Sequence, residues 1–171
     1  PLYSTDFRTL DGWRTVELPK VERNAAVELM SEPNGSRLRL RADAAATALL
    51  LERKFGTAEV GRIRWKWRAI QLPETGDASR KAGDDYVLRV MVLFENTGGL
   101  SGLFDSLFGG DLMPDSSIHY VWSAEPLPAS GMMSPYTERV RIVGRRSGPD
   151  ASAGWQEETV DPARDYRSLF G

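Results

Sequence analysis

The clearest pattern along this chain is the alternation of apolar and polar residues with a period of two. In the segment 62–69, Ile63, Trp65 and Trp67 fall on one side and basic residues fall on the other. The segment 36–42 alternates leucine with arginine in the same manner. Because successive side chains of a strand point to opposite faces, both segments predict half-buried β-strands.

The longest run of strand-favouring residues covers 85–95, and we expect it to form the central strand of the fold. One face carries Tyr86, Leu88, Val90, Val92 and Phe94. The other face is also mostly apolar, but it carries Arg89 at its middle and a carboxylate near each end. A strand that is apolar on both sides is usually covered on both faces or lines a groove.

Other strands are predicted between turn-forming dipeptides and prolines. The full set of predicted strands is 13–18, 25–30, 36–42, 47–55, 61–70, 85–95, 117–123, 138–146 and 155–160. Strands do not alternate with helices, so a parallel sheet with crossover helices is not expected. The pattern predicts an all-β fold, an antiparallel β-sandwich of jelly-roll type that forms a single domain over residues 1–171.

Two short helices are predicted in addition to the strands. Apolar residues within 100–108 recur with helical spacing between two Gly-Gly pairs, which predicts an insertion helix. This helix would cap an open end of the core, close over a ligand, or contact a membrane or a protein partner. Asp161 followed by Pro162 is typical of a helix start and predicts a C-terminal helix that docks on the sandwich.

Composition excludes several kinds of site. The chain of 171 residues has a net charge of −2, one histidine and no cysteine. Disulfides, cysteine–zinc sites and histidine-rich metal sites are therefore excluded, and we expect no metal and no cofactor. The overall acidity argues against general binding of nucleic acid. No apolar run reaches the roughly 20 residues of a membrane span.

Basic residues are concentrated on the predicted strands. Each of them opposes an apolar face on its own strand, and His119 lies close by on the strand 117–123. If these strands are neighbours in one sheet, the side chains form a basic surface that would hold an acidic ligand, such as a uronic-acid polysaccharide, by bidentate arginine contacts. The alternative is a solvated face balanced by carboxylates. The residues concerned are Arg64, Lys66, Arg68, Arg89, Arg139 and Arg141.

The adjacent carboxylates Asp84 and Asp85 allow two interpretations. Their oxygens suit Ca²⁺ or sugar hydroxyls, which would make them part of a binding site. In a strand, however, neighbouring side chains point to opposite faces, so the pair cannot readily chelate one ion there. In the structural interpretation one aspartate caps the turn, and the other pairs with Arg80, Lys81 or Arg89.

The tryptophans also divide into two groups. Trp65, Trp67 and Trp122 lie on apolar faces and are expected in the core. Trp13 and Trp155 lie beside turns. They are better placed to stack on a sugar, because a stacking ring must be exposed at a groove or loop end.

Candidate catalytic residues are few. A jelly-roll lyase would need an arginine to neutralise a uronate and a base to remove the C5 proton, and only Arg89, His119 and Tyr120 suit these tasks. A Ser-His-Asp triad would have to use His119, and no Gly-x-Ser-x-Gly elbow accompanies it. Alternation places Tyr120 on the core face, so the sequence favours binding over catalysis and leaves the question of an enzyme open.

Several short stretches resemble a family of bacterial proteins known as domain of unknown function 3047. The resemblance runs from the Trp-Lys-Trp strand to the C-terminus and implies an exported or periplasmic protein of the bacterial envelope. It implies no activity and no functional residues. The stretches are Trp65-Lys66-Trp67, Gly83-Asp84-Asp85-Tyr86 with Arg89 and Phe94, Tyr120-Val121-Trp122-Ser123, and Asp165-Tyr166-Arg167 with Phe170-Gly171.

The expected function is therefore non-catalytic binding of a carbohydrate, or of another anionic envelope component, on a basic sheet face. One alternative is a polysaccharide-processing enzyme of lyase type. The other is a structural or partner-binding domain that uses the helix predicted over 100–108.

Overall fold

A computed structural model of the chain describes residues 1–18, 21–33, 35–73, 80–81, 83–95, 116–149 and 154–171. These residues belong to two compact units. In the described part, unit 1 comprises Pro1–Phe55, and unit 2 comprises 56–95 together with 116–171.

Unit 1 consists of two antiparallel pairs of strands. β1 (Trp13–Val16) pairs with β4 (Ala48–Leu51), and β2 (Ala26–Glu32) pairs with β3 (Gly35–Arg41). The alternation of leucine and arginine in β3 predicted a buried leucine face. Leu29 and Leu40 nevertheless remain 41% exposed, so this face of the β2–β3 pair is only partly covered.

The core of unit 2 is a four-stranded sheet, called here the central sheet. It contains β6 (Leu88–Phe94), β7 (Ser116–Ser123), β8 (Met132–Met133) and β9 (Val140–Ser147), in the order β6-β7-β9-β8. Every residue of β7 is buried. The most protected strand is therefore β7, and the run 85–95 that the sequence predicted as central forms the edge strand β6 of this sheet.

The pair β7–β9 is parallel, whereas the predicted sandwich was antiparallel throughout. Parallel neighbours need a long crossover connection, and residues 124–139 provide it. The crossover passes over one face of the sheet, which we call the crossover side. There Leu127 packs against Val121, Val140 and Ile142.

Gly144 permits this crossover to approach β9 closely. A Cβ atom at position 144 would lie 2.4 Å from the carbonyl oxygen of Leu127, which is closer than any side chain tolerates. The backbone N–H of Gly144 donates to the carbonyl of Pro128 at 3.1 Å. A residue without a side chain is therefore required where the crossover meets the sheet.

A second layer covers the opposite face of the central sheet, called here the ribbon side. β5 (Ile63–Trp67) and β10 (Gln156–Val160) form an antiparallel two-stranded ribbon. Trp65 packs against Tyr120 and Trp67 packs against Trp122, with ring centroids 5.8 Å and 5.7 Å apart. The ribbon thus buries its apolar face on the sheet, as the period-two pattern of 62–69 predicted.

Helix α1 (Pro162–Phe170) completes the ribbon side. Its N-cap Asp161 accepts a hydrogen bond from the backbone N–H of Arg164 at 2.9 Å, and Pro162 occupies the first turn. Tyr166, Leu169 and Phe170 of the helix pack on the core residues Ile118 and Val143. The sequence prediction of this helix and of its docking is confirmed.

The predicted strands within the described residues are all present, with shifted ends. β8 was missed, because two residues carry no periodic pattern. Tyr86 was assigned to the wrong face, since the backbone becomes a regular strand only at Leu88 and the Tyr86 ring packs on the crossover side.

The chain is mostly β, but a jelly roll is not confirmed, because the described strands form four separate sheets. The predicted helix 100–108 lies outside the described residues.

A membrane-spanning helix and a cluster of metal-binding side chains are both absent from the described residues. No helix found there is long and apolar enough to cross a membrane. The same residues contain no group of three or more histidine, cysteine, aspartate or glutamate side chains placed to hold a metal ion.

The two buried tryptophans Trp67 and Trp122 provide a matched test of the core. Trp122 Nε1 donates to the carbonyl of Gly148 at 3.0 Å, whereas Trp67 Nε1 is buried and has no acceptor among the described residues. Substitution by phenylalanine removes a similar volume at both sites. We expect Trp122→Phe to cost about 1–2 kcal/mol more than Trp67→Phe, because only Trp122→Phe loses a hydrogen bond. Urea denaturation of both variants measures the difference, and equal losses would contradict it.

Candidate functional site

The ribbon presents its polar residues on the face that points away from the central sheet, called here the ribbon outer face. Antiparallel pairing places Arg64 beside Thr159 and Lys66 beside Glu157. Arg68 and Trp155 follow at the next position, beyond the ends of the two strands. Three of the predicted basic residues therefore lie in one row with an aromatic ring at its end.

Trp155 differs from the other tryptophans of unit 2 because its ring is 45% exposed. The guanidinium of Arg68 lies over this ring, 5.5 Å from the ring centroid. Such a cation–π contact holds both side chains in one orientation while leaving the ring accessible. An exposed flat ring beside a fixed guanidinium is suited to stack on a sugar and to pair with its acidic group.

Charge is unevenly distributed along the row. Lys66 Nζ lies 3.3 Å from Glu157 Oε2, so the middle of the row is an ion pair. Arg64 is exposed, and no carboxylate in the described part of the chain lies within ion-pair distance of it. The row is therefore positive at both ends and close to neutral at its centre.

A buried carboxylate joins the ribbon to the central sheet. Glu158, on the inner face of β10, is only 3% exposed. Arg145 donates to its Oε2 from Nε at 3.0 Å and from Nη2 at 2.9 Å, and Arg146 donates to its Oε1 at 2.6 Å. A register shift between β7 and β9 leaves Arg145 without a partner residue on β7. Because of this extra residue, two consecutive arginines can point to the same face, and both reach Glu158.

Arg89 lies on the crossover side of the central sheet and has an internal partner. Its Nη1 is 3.5 Å from Asp84 Oδ2, its Nη2 donates to the Asp84 carbonyl at 3.1 Å, and its guanidinium lies 4.6 Å from the Tyr86 ring centroid. Burial and the charge of Asp84 raise the pKa of the Tyr86 phenol. Of the two interpretations of the aspartate pair, the structure favours the structural one for Asp84, and Asp85 is exposed.

His119 is buried on the same side of the sheet. Its Nε2 is 3.1 Å from the hydroxyl oxygen of Ser117, which is itself fully buried. Burial and the nearby positive charge of Arg89 lower the pKa of His119 to about 3. Within the described residues no carboxylate is bonded to the ring, so the contact is a Ser–His pair without the acid of a triad.

Tyr120 lies on the ribbon side, across the sheet from His119. It is fully buried, and its hydroxyl donates to Asp165 Oδ2 at 2.8 Å. Burial and this hydrogen bond raise the pKa of the phenol. The three residues required for a lyase are therefore not brought together, because the sheet separates Tyr120 from Arg89 and His119.

The last two predicted site residues lie at the start of β9. Arg141 donates from Nε to the carbonyl of Leu169 at 3.1 Å, and its guanidinium lies 4.6 Å from the Phe170 ring centroid. It therefore stabilises the C-terminal end of α1. Arg139 is exposed just before the strand.

The predicted basic surface is thus divided between two sheets. Arg64, Lys66 and Arg68 lie on the ribbon, and Arg89 and Arg141 lie on opposite faces of the central sheet. The condition that all these strands adjoin in one sheet is not met.

Sequence reasoning missed the Arg145–Arg146–Glu158 cluster. The available indication was Glu158 itself, a carboxylate at an inward position of the strand 155–160.

The contacts of Arg89 predict that it stabilises the fold. Arg89→Leu would leave the Asp84 carboxylate, whose side chain is only 16% exposed, without its cation. We expect a loss of about 1–3 kcal/mol in the free energy of unfolding, measured by urea denaturation without added ligand. Arg139→Leu, at an exposed arginine, is the control and should change stability by less than about 0.5 kcal/mol. Unchanged stability of Arg89→Leu would restore its interpretation as a ligand residue.

The lowered pKa of His119 predicts a pH-dependent stability. The unfolded chain binds a proton near pH 6.5, but the folded chain does so only near pH 3. The contribution of the neutral imidazole to the free energy of unfolding is therefore complete above about pH 6.5. It is lost as the pH falls below that value, by about 1.4 kcal/mol per pH unit.

The chain has a single histidine, so no other imidazole contributes to this dependence. Unfolding free energies measured between about pH 7 and about pH 5 should decrease for the parent and much less for His119→Gln. Equal slopes in the two proteins would show that the imidazole is not held neutral by the fold.

Comparison with known proteins adds a family to this description. No curated protein and no solved structure matches the chain. A family model matches residues 11–171, which is nearly the whole chain. This match agrees with the resemblance found in the Trp-Lys-Trp strand and in the C-terminal helix. The chain belongs to the family described as "Protein of unknown function (DUF3047)".

Proposed function

We propose that this protein binds an anionic carbohydrate, or another anionic component of the bacterial envelope, on the ribbon outer face without transforming it. The observation that carries the proposal is the exposed Trp155 ring with Arg68 lying over it. A ligand that stacks on the ring would bring an acidic group within reach of the guanidinium.

The chemistry of the face supports an acidic sugar. A guanidinium offers parallel N–H donors that match both oxygens of a carboxylate, and a tryptophan ring offers a flat apolar surface for the C–H face of a sugar. Both groups are held by their mutual contact before the ligand arrives. Little side-chain entropy is then lost on binding, which favours affinity.

The positions of the other predicted site residues also favour the ribbon outer face as the binding surface. Arg89 and Arg141 are engaged inside the unit, by Asp84 and by the end of α1 respectively. His119 is buried and bonded to Ser117. The ribbon outer face is the part of the predicted basic surface whose cations and aromatic ring face solvent together.

Removing the Trp155 ring tests the proposal. We expect Trp155→Ala to weaken binding to alginate or polygalacturonate by about tenfold or more, measured by calorimetry, because the stacking surface is lost. Stability should fall by only about 1 kcal/mol, since the side chain is partly exposed and its loss removes the cation–π contact with Arg68. Arg68→Lys should also weaken binding, because an ammonium does not match a carboxylate bidentately.

Tyr136 offers a matched control. It is an exposed aromatic residue with Lys81 Nζ 5.6 Å from its ring centroid, so it forms another aromatic–cation pair, located away from the ribbon. Tyr136→Ala should leave binding unchanged. Equal binding of acidic polysaccharides by the parent and Trp155→Ala, or binding of neutral glucans as strong as that of acidic ones, would refute the proposal.

A further inference from the structure

Glu157 is an acidic side chain in the middle of an otherwise basic row. It lies 3.3 Å from Lys66, and both side chains are more than half exposed, at 56% and 64%. No other acidic residue of the described part of β5 and β10 points to the ribbon outer face, because Glu158 points inward. The carboxylate of Glu157 can therefore contact a ligand in addition to its ion pair with Lys66.

The spacing along β5 defines where positive charge remains. Arg64 and Arg68 are four residues apart on the strand, which separates them by about 13 Å. Between them, Glu157 cancels the charge of Lys66. An extended ligand lying along β5 would meet a cation at each end and a carboxylate at the centre.

We propose that Glu157 determines which polyanions this face accepts. This inference rests on the proposed function of the ribbon outer face. A glycan that carries an acidic group only on alternate units can place its charges at Arg64 and Arg68 and a neutral unit opposite Glu157. A polymer charged on every unit must place an anion against this carboxylate, and like charges across an interface disfavour the complex.

The test compares Glu157→Gln with the parent on two polymers. Hyaluronan has a uronate on alternate units, and polygalacturonate has one on every unit. Glutamine preserves the shape of the side chain and removes its charge. We expect the affinity for polygalacturonate to rise about two- to fivefold, because an exposed charge contact contributes modestly. The affinity for hyaluronan should change less. The dissociation constant for polygalacturonate divided by that for hyaluronan should therefore fall.

Glu125→Gln is the control for net charge. Glu125 is exposed on the crossover, and within the described residues no hydrogen bond or ion pair joins its side chain to the ribbon. If Glu125→Gln raises the affinity for polygalacturonate as much as Glu157→Gln does, the effect is one of total charge and the inference is overturned.

The remaining outcomes separate the inference from the proposed function. If the parent binds and Trp155→Ala does not, but Glu157→Gln leaves the ratio unchanged, the inference is wrong and the proposed function stands. If neither polymer binds the parent, the proposed binding of an acidic carbohydrate fails and the inference fails with it. Denaturation curves of Glu157→Gln should match those of the parent, since both members of its ion pair are exposed.

Discussion

The packing of unit 2 depends on the carboxylate of Glu158. A charge removed from water is tolerated only when it is paired and hydrogen-bonded, and here two arginines supply three donors to its two oxygens. Glu158 belongs to the ribbon, and both arginines belong to β9. A shift of the packed ribbon along the sheet would separate these charges while they remain buried, so the contact favours one position of the ribbon on the sheet.

The ribbon shows how one short strand can both pack against a core and present a polar face to solvent. The inward side chains of β5, Trp65 and Trp67, pack against the aromatic residues of β7. The outward side chains, Arg64 and Lys66, remain in solvent. Inward and outward side chains alternate along the strand. A substitution on the outer face can therefore change the surface that a ligand would meet with little effect on packing. Arg64, Lys66 and Glu157 therefore lie on paired strands, and Arg68 and Trp155 lie one position beyond the strand ends.

Local patterns were sufficient to predict the described strands other than β8, the C-terminal helix and the core tryptophans. The alternation in 62–69 identified both faces of β5, and the Asp161-Pro162 pair identified the start of α1. Strand neighbours were not predictable, because pairing depends on contacts between distant residues. The assumption that Arg64 and Arg89 share a sheet failed for this reason, and so did the assumption that β7 and β9 are antiparallel. The exposure of Trp155 was predictable because its position beside a turn is a local property.

The close contact between Gly144 and Leu127 has a consequence for how this family can change. The carbonyl of Leu127 occupies the volume that any side chain at 144 would need. A lineage cannot gain even an alanine at this position while the crossover keeps its present path. The glycine and the course of the crossover must therefore change together, so a larger residue at 144 would be tolerated only with a different path of residues 127 and 128.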